Sequence, residues 1–177
     1  MASSTLESLK NKLGMGARAN RYMVMISAPV GPSDDITIDT LCKGGSIPGK
    51  TIGQIEVFNQ GRKLIIAGDA QYENTWTLTF WNTEDMALRD SFDKWMLYID
   101  DMEAHTRKAS DHSSYMADAA NISQLSSVDN SVQAVYQFRN LWPTSISSVD
   151  LADDSADTIT EFSVDFAFSH FVRLDTY

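Results

Sequence analysis

Asn140-Leu141-Trp142-Pro143-Thr144-Ser145-Ile146 decides how the rest of this chain is read. Pro143 has no backbone N–H and a fixed φ, so it stops a hydrogen-bonded ladder and is barred from the interior of a central strand. It also drives Trp142 into an extended conformation. The segment therefore predicts the end of a strand over residues 132–139, whose Val132, Ala134, Tyr136 and Phe138 share one face. Further on, residues 158–168 give the most regular period-2 pattern in the sequence. Thr160, Phe162, Val164, Phe166 and Phe168 alternate there with Glu161, Ser163, Asp165 and Ala167. One face is core and the other is wet.

Strands also dominate upstream. In residues 75–81, Trp76, Leu78 and Phe80 point one way and Thr75, Thr77, Thr79 and Trp81 the other. Residues 21–28 carry Tyr22, Val24 and Ile26 on one face and Met23 and Met25 on the second, which predicts burial on both. Residues 36–42 alternate again after a Pro-Ser-Asp-Asp turn. Residues 43–61 combine several glycines and Pro48 with apolar Ile52, Ile55, Val57 and Phe58, before residues 62–67 resume as strand. The simplest reading is a long hairpin with a glycine-rich, partly apolar tip, and such a tip rarely stays bare.

After Trp81 the period changes. Asn82 or Thr83 as cap, Glu84 and Asp85 in a first turn, and a stripe of Met86, Phe92, Trp95, Met96, Ile99 and Met102 predict a helix over residues 83–102. Residues 103–114 read as a polar loop, and the alanines of residues 115–124 favour helix by propensity alone. At the N-terminus, Ser3-Ser4-Thr5 resembles a helix cap, Leu6, Leu9 and Leu13 follow at i, i+3 and i+7, and Gly14 and Gly16 break the pattern. So short a helix cannot hold itself up in water, so residues 1–19 form an arm that is mobile or docks on a neighbour. About seven strands and one central helix give an antiparallel β-sandwich or partial barrel flanked by a helix.

The 177 residues fit one domain, and 43% hydrophobic residues suffice for a core. A formal charge of −10, from 24 acidic against 14 basic residues, argues against gripping a phosphate backbone. The lone Cys42 permits no internal disulfide and fits a reducing compartment. No apolar run approaches the ~20 residues of a membrane span, and the N-terminus lacks a signal-peptide pattern. His105 and His112 lie in the polar loop at a spacing unsuited to a tight metal site, and His170 stands apart. Asp34-Asp35, Asp100-Asp101 and Asp153-Asp154 sit where turns or helix ends are predicted. With no phosphate loop, dinucleotide fingerprint or nucleophile elbow, the inventory disfavours an enzyme and offers no catalytic, cofactor-binding or metal residues.

Two blocks of the sequence resemble the tail tube proteins of contractile-tailed, T4-like bacteriophages. The first is the Leu141-Trp142-Pro143-Thr144 corner, a short strand over residues 146–151, an acidic turn over residues 153–157, and the final strand over residues 160–168. The second is Ser46-Ile47-Pro48-Gly49, then Gly61-Arg62-Lys63-Leu64-Ile65-Ile66-Ala67-Gly68-Asp69, then Asn74-Thr75-Trp76-Thr77-Leu78-Thr79 with Trp81-Asn82. They stand in the family's order, and the resemblance covers residues 20–170.

The resemblance implies a tail-tube β domain over residues 20–170 with a strand within residues 115–124, a C-terminal tail over residues 171–177, and a hexameric ring enclosing a continuous inner β-barrel. It implies no enzyme and no cofactor. The subunit would stack into the conduit for DNA ejection inside a sheath, in the tail of a virion assembled in the host bacterial cytoplasm. Expected partners are further copies of itself, the sheath, tape-measure, baseplate and tail-terminator proteins, and DNA passing without sequence-specific binding. Ile52, Ile55, Val57, Phe58, Leu6, Leu9 and Trp142 are the candidates for contacts between subunits or rings. Glu161 and Asp165, opposite the phenylalanines, face either the lumen or the sheath; the lumen is preferred because few cations stand nearby to pair with them. A tube subunit of a tailocin or another phage-derived injection system is the alternative within the class. A monomeric β-barrel binding a small ligand is the alternative outside it.

Overall fold

The computed structural model describes residues 2–29, 38–101, 103, 104, 106–117, 119–149, 151, 152 and 158–174. Asp34, Asp35, Met102, His105, Asp153 and Asp154 fall outside these residues. The first half contains α1 (Ala2–Leu13), β1 (Tyr22–Ile26), α2 (Ile38–Leu41), β2 (Cys42–Gly45), β3 (Lys50–Asn59), β4 (Arg62–Tyr72) and β5 (Thr75–Trp81). The second contains α3 (Ala87–Ile99), β6 (Ala120–Leu125), β7 (Val132–Arg139), β8 (Trp142–Ile146), β9 (Glu161–Ala167) and β10 (His170–Leu174). One four-stranded sheet runs β1-β6-β7-β10, a second runs β2-β5-β9-β8, and β3 pairs with β4 as a separate ribbon. Each pairing is antiparallel.

The core grows from the β5–β9 pair, in register from Thr75 opposite Ala167 to Trp81 opposite Glu161. Its inward side chains, Trp76, Leu78, Phe80, Phe162, Val164 and Phe166, are all at most 1% exposed. Trp76 stacks on Phe138 of β7 with ring centres 4.1 Å apart, which joins the two sheets. Phe92 of α3 lies 5.4 Å from Phe80 and 5.8 Å from Phe166, so the helix covers the same apolar face. The two buried indoles also satisfy their N–H groups, Trp76 on the Ser46 carbonyl and Trp95 on that of Tyr115, both at 2.8 Å. First sheet and helix together occupy one side of the second sheet and leave its other side open.

Several elements differ from the sequence reading. Pro143 does not end a strand; it is the second residue of β8, opposite Phe166, and is fully buried. It is tolerated because β8 is an edge strand, and the corner before it is made by Asn140 at φ 57°. The strand expected over residues 146–151 ends at Ile146. The helix begins at Ala87 rather than 83, because Met86 adopts φ 52° and closes a turn onto the Thr83 carbonyl. Asp85 accepts from the Thr83 hydroxyl and the Ala87 N–H, and Leu88 takes the buried position assigned to Met86. α1 starts at Ala2, ahead of the expected cap.

Residues 38–41 form a helical turn instead of a strand. Ile38 and Cys42 are both buried, and a spacing of four satisfies the helical period as well as the strand period. In β1, Val24 and Ile26 are buried but Met25 is 54% exposed, so within one chain only one face is covered. The tail expected over residues 171–177 begins inside β10, whose Phe171 is buried opposite Phe138. The strand expected within residues 115–124 is β6.

Candidate assembly surfaces

Among the described residues, the hairpin carries the largest group of exposed apolar side chains within one element pair. Residues 43–61 are not one irregular tip: β3 is a ten-residue strand, and a two-residue turn, Gln60 at φ 47° and Gly61 at φ 79°, joins it to β4. Two positive φ values match the twist of a tight hairpin. The register sets Ile55 opposite Ile66 and Val57 opposite Leu64 on one face. Phe58 stands opposite Lys63 on the other, where Lys63 also pairs with Glu56. Ile52 is 62% exposed, Ile55 50%, Val57 42% and Phe58 69%, and Leu64, Ile65 and Ile66 on β4 add to the patch. The sequence reading took residues 62–67 as strand without assigning their faces, so it missed these three.

Glycine makes this ribbon possible at one place. The register slips between Ile52 and Gln54, where Gly53 and Gly68 meet back to back. A Cβ on Gly53 would lie 3.2 Å from the Asp69 carbonyl oxygen, and one on Gly68 would lie 3.2 Å from the backbone of Gly53. Both contacts are against main chain, which cannot swing aside.

The open face of the second sheet is polar. Asp165 accepts the Thr77 hydroxyl at 2.6 Å and the Ser145 hydroxyl at 2.7 Å, and these bonds hold its carboxyl below the ordinary range. Thr79 and Ser163 bond at 3.1 Å in the next cross-strand row. Glu161 pairs with Lys43 at 2.5 Å. This corrects the expectation that few cations stand near these acids: one of the two is matched. Asp165 is left as the acid whose partners on this face are hydroxyls.

The remaining candidates scatter. Leu6 and Leu9 are 56% and 58% exposed on α1. Trp142 is half-buried, edge-on to Tyr115 at 6.2 Å, and so is not a central core residue. Asp101, of the Asp100-Asp101 pair, accepts the Glu103 and Ala104 N–H groups and pairs with Lys108, as turn chemistry predicts. Cys42 is buried, which pushes its thiol up to about 11 and keeps it protonated at neutral pH. His112 sits in a short 3₁₀ turn beside the Tyr115 hydroxyl at 3.1 Å. Among the described residues, no three His, Cys, Asp or Glu side chains cluster as metal ligands. The space between the sheets, where a ligand-binding β-barrel would hold its guest, is filled by aromatic side chains.

The tail tube protein gp19 of Enterobacteria phage T4 is 26% identical over 129 residues, 73% of this chain and 77% of that one. Its counterpart from phage T6 matches equally. A chain of the anti-feeding prophage baseplate shares the fold with a TM-score of 0.62 at 13% identity, covering 89% of this chain and 95% of its own. A chain from the sheath–tube complex of the PVC extracellular contractile injection system gives 0.58 at 14% identity, covering 96% and 98%. The family model for phage tail tube proteins matches residues 17–174, so the chain belongs to the phage tail tube protein family.

Proposed function

We propose that this chain is the tube subunit of a contractile phage tail. Six copies close into a ring, the rings stack into a pipe, and the pipe conducts DNA inside a sheath. The observation that carries the reading is the β3–β4 ribbon: it pairs with neither sheet and exposes aliphatic side chains on both faces. Monomers rarely leave such a surface bare, so a second ring is its natural cover. The outer strands of the second sheet, β2 and β8, are where neighbouring subunits would continue it as an inner barrel.

The conduit needs a wall that does not hold DNA. The hydroxyl-rich face with Asp165 supplies such a wall, and the net charge of −10 per chain disfavours lasting contact with phosphates. Glu161 and Asp165 are accordingly assigned to the lumen. Sheath, baseplate, tape-measure and tail-terminator proteins are the partners of such a tube, and the virion tail, assembled in the bacterial cytoplasm, is its place.

The test is the double variant Val57→Asp with Phe58→Asp, which charges both faces of the ribbon. Surface changes of this kind leave stability within about 0.5 kcal/mol. The variant is expected to melt like the parent and to form no tubes; long tubes from it would reject the assignment.

A further inference from the structure

The helix α1 presents Leu6, Leu9 and Leu13 as one stripe and leaves them 56%, 58% and 64% exposed. An isolated helix of 12 residues is marginal in water, so this stripe requires an apolar surface beyond those it meets in its own chain. The junction of α3 and β8 provides one. Asp93, Met96, Leu97 and Asp100 face Trp142 and Thr144 across an open groove of about 490 Å³. Its lining is mainly apolar, with Leu97 47% exposed, and its ionisable groups are two carboxylates, Asp93, 3.9 Å from Arg89 one turn back, and Asp100 at the end of α3. The last turn of α1 carries Lys10 and Lys12. Stripe and charge therefore match on both sides, as in helix-in-groove recognition.

The positions of the two features say whose helix it is. α1 leads into β1, an edge of the first sheet, and the Tyr22 hydroxyl of β1 donates to the Cys42 carbonyl of β2 at 2.9 Å. β2 is one edge of the second sheet, and β8 with its groove is the other. Arm and groove thus stand on opposite edges of the sandwich. A contact that joins two different surfaces of identical copies is head-to-tail, and with the right rotation it closes into a ring.

We propose that α1 of one copy lies in the α3–β8 groove of the next and latches neighbouring subunits within a ring. The proposal rests on the ring reading above and names the surface that closes it. Trp142 acquires a role in it as a half-buried wall that the arriving leucines complete.

Paired cysteines test the latch. Cys42 is 6% exposed and contributes little background. A chain with Leu9→Cys is mixed with one carrying Leu97→Cys, assembled, and mildly oxidised; covalent dimers of the two chains are expected on non-reducing gels. The double variant should give a ladder ending at the hexamer. Lys10→Asp with Lys12→Asp should cut the cross-linked yield several-fold, and adding Asp93→Lys with Asp100→Lys should restore it. Rings of the correct mass without the cross-link would overturn the latch while sparing the ring. So would rings that shield Leu97→Cys from alkylation without linking it to Leu9→Cys. A cross-link confined within single chains would overturn it as well, and a chain that never forms rings would sink both readings together.

Discussion

The Asp165 carboxylate accepts the Thr77 hydroxyl at 2.6 Å across the β5–β9 pair, on the polar face of a sheet whose other face is solid aromatic core. That bond, with the one from Ser145, lowers the folded pKa below the unfolded value of about 3.9. A depressed carboxylate stabilises the fold above its unfolded pKa, and the contribution is lost as pH falls through the folded value. Asp165→Asn should therefore lower stability at neutral pH by about 1 kcal/mol, a figure discounted for partial exposure. Thermal melts at stepped pH should show the gap between parent and variant closing below the ordinary Asp range. A gap that stays constant into acid would mean that charge plays no part.

Trp76 and Trp142 are expected to separate cleanly. Trp76 is 1% exposed and stacked on Phe138, so Trp76→Ala should cost about 3–5 kcal/mol. Trp142 is half-buried at the groove, and its truncation should cost the isolated subunit much less while impairing rings. Denaturant titration alongside sizing of assemblies checks both halves.

Gly68→Ala tests the bulge in the ribbon. Its new Cβ would press on the Gly53 backbone at 3.2 Å, bending the hairpin without touching the core. The melt of the subunit should be nearly unchanged and tube formation weakened. Unimpaired tubes would show that the close Gly53–Gly68 approach at the bulge is not used in assembly.

The lumen assignment has its own readout. Glu161→Lys with Asp165→Lys replaces both acids on the open face, and places a lysine beside Lys43 where a pair now stands. In reconstituted virions, tubes should form but ejection should slow, with salt relieving the delay. Normal ejection with failed sheath attachment would put this face on the outside.

The sequence made the inner strands legible because burial on one face imposes a strict period of two. Residues 75–81 and 132–139 match β5 and β7, and Phe162, Val164 and Phe166 face inward from β9 as expected, with Phe168 buried just past its end; Thr160 lies before the strand and is only half-buried. Elements answering to something beyond one chain's core were harder to see. β3 was folded into a glycine-rich hairpin tip over residues 43–61, whereas Gly53 serves a close backbone approach inside a strand. Met25 and the stripe of α1 were apolar without being buried, so pattern alone could not say what they face. Glu161 was legible as outward-facing, but its partner Lys43 lies 118 residues away and no local signal links them.

The most direct measurement is the size and shape of the purified 177-residue chain as concentration rises, by light scattering and electron microscopy. The account predicts hexameric rings that stack into hollow tubes. A species that stays at 19.7 kDa at every concentration, with no rings in micrographs, would contradict it.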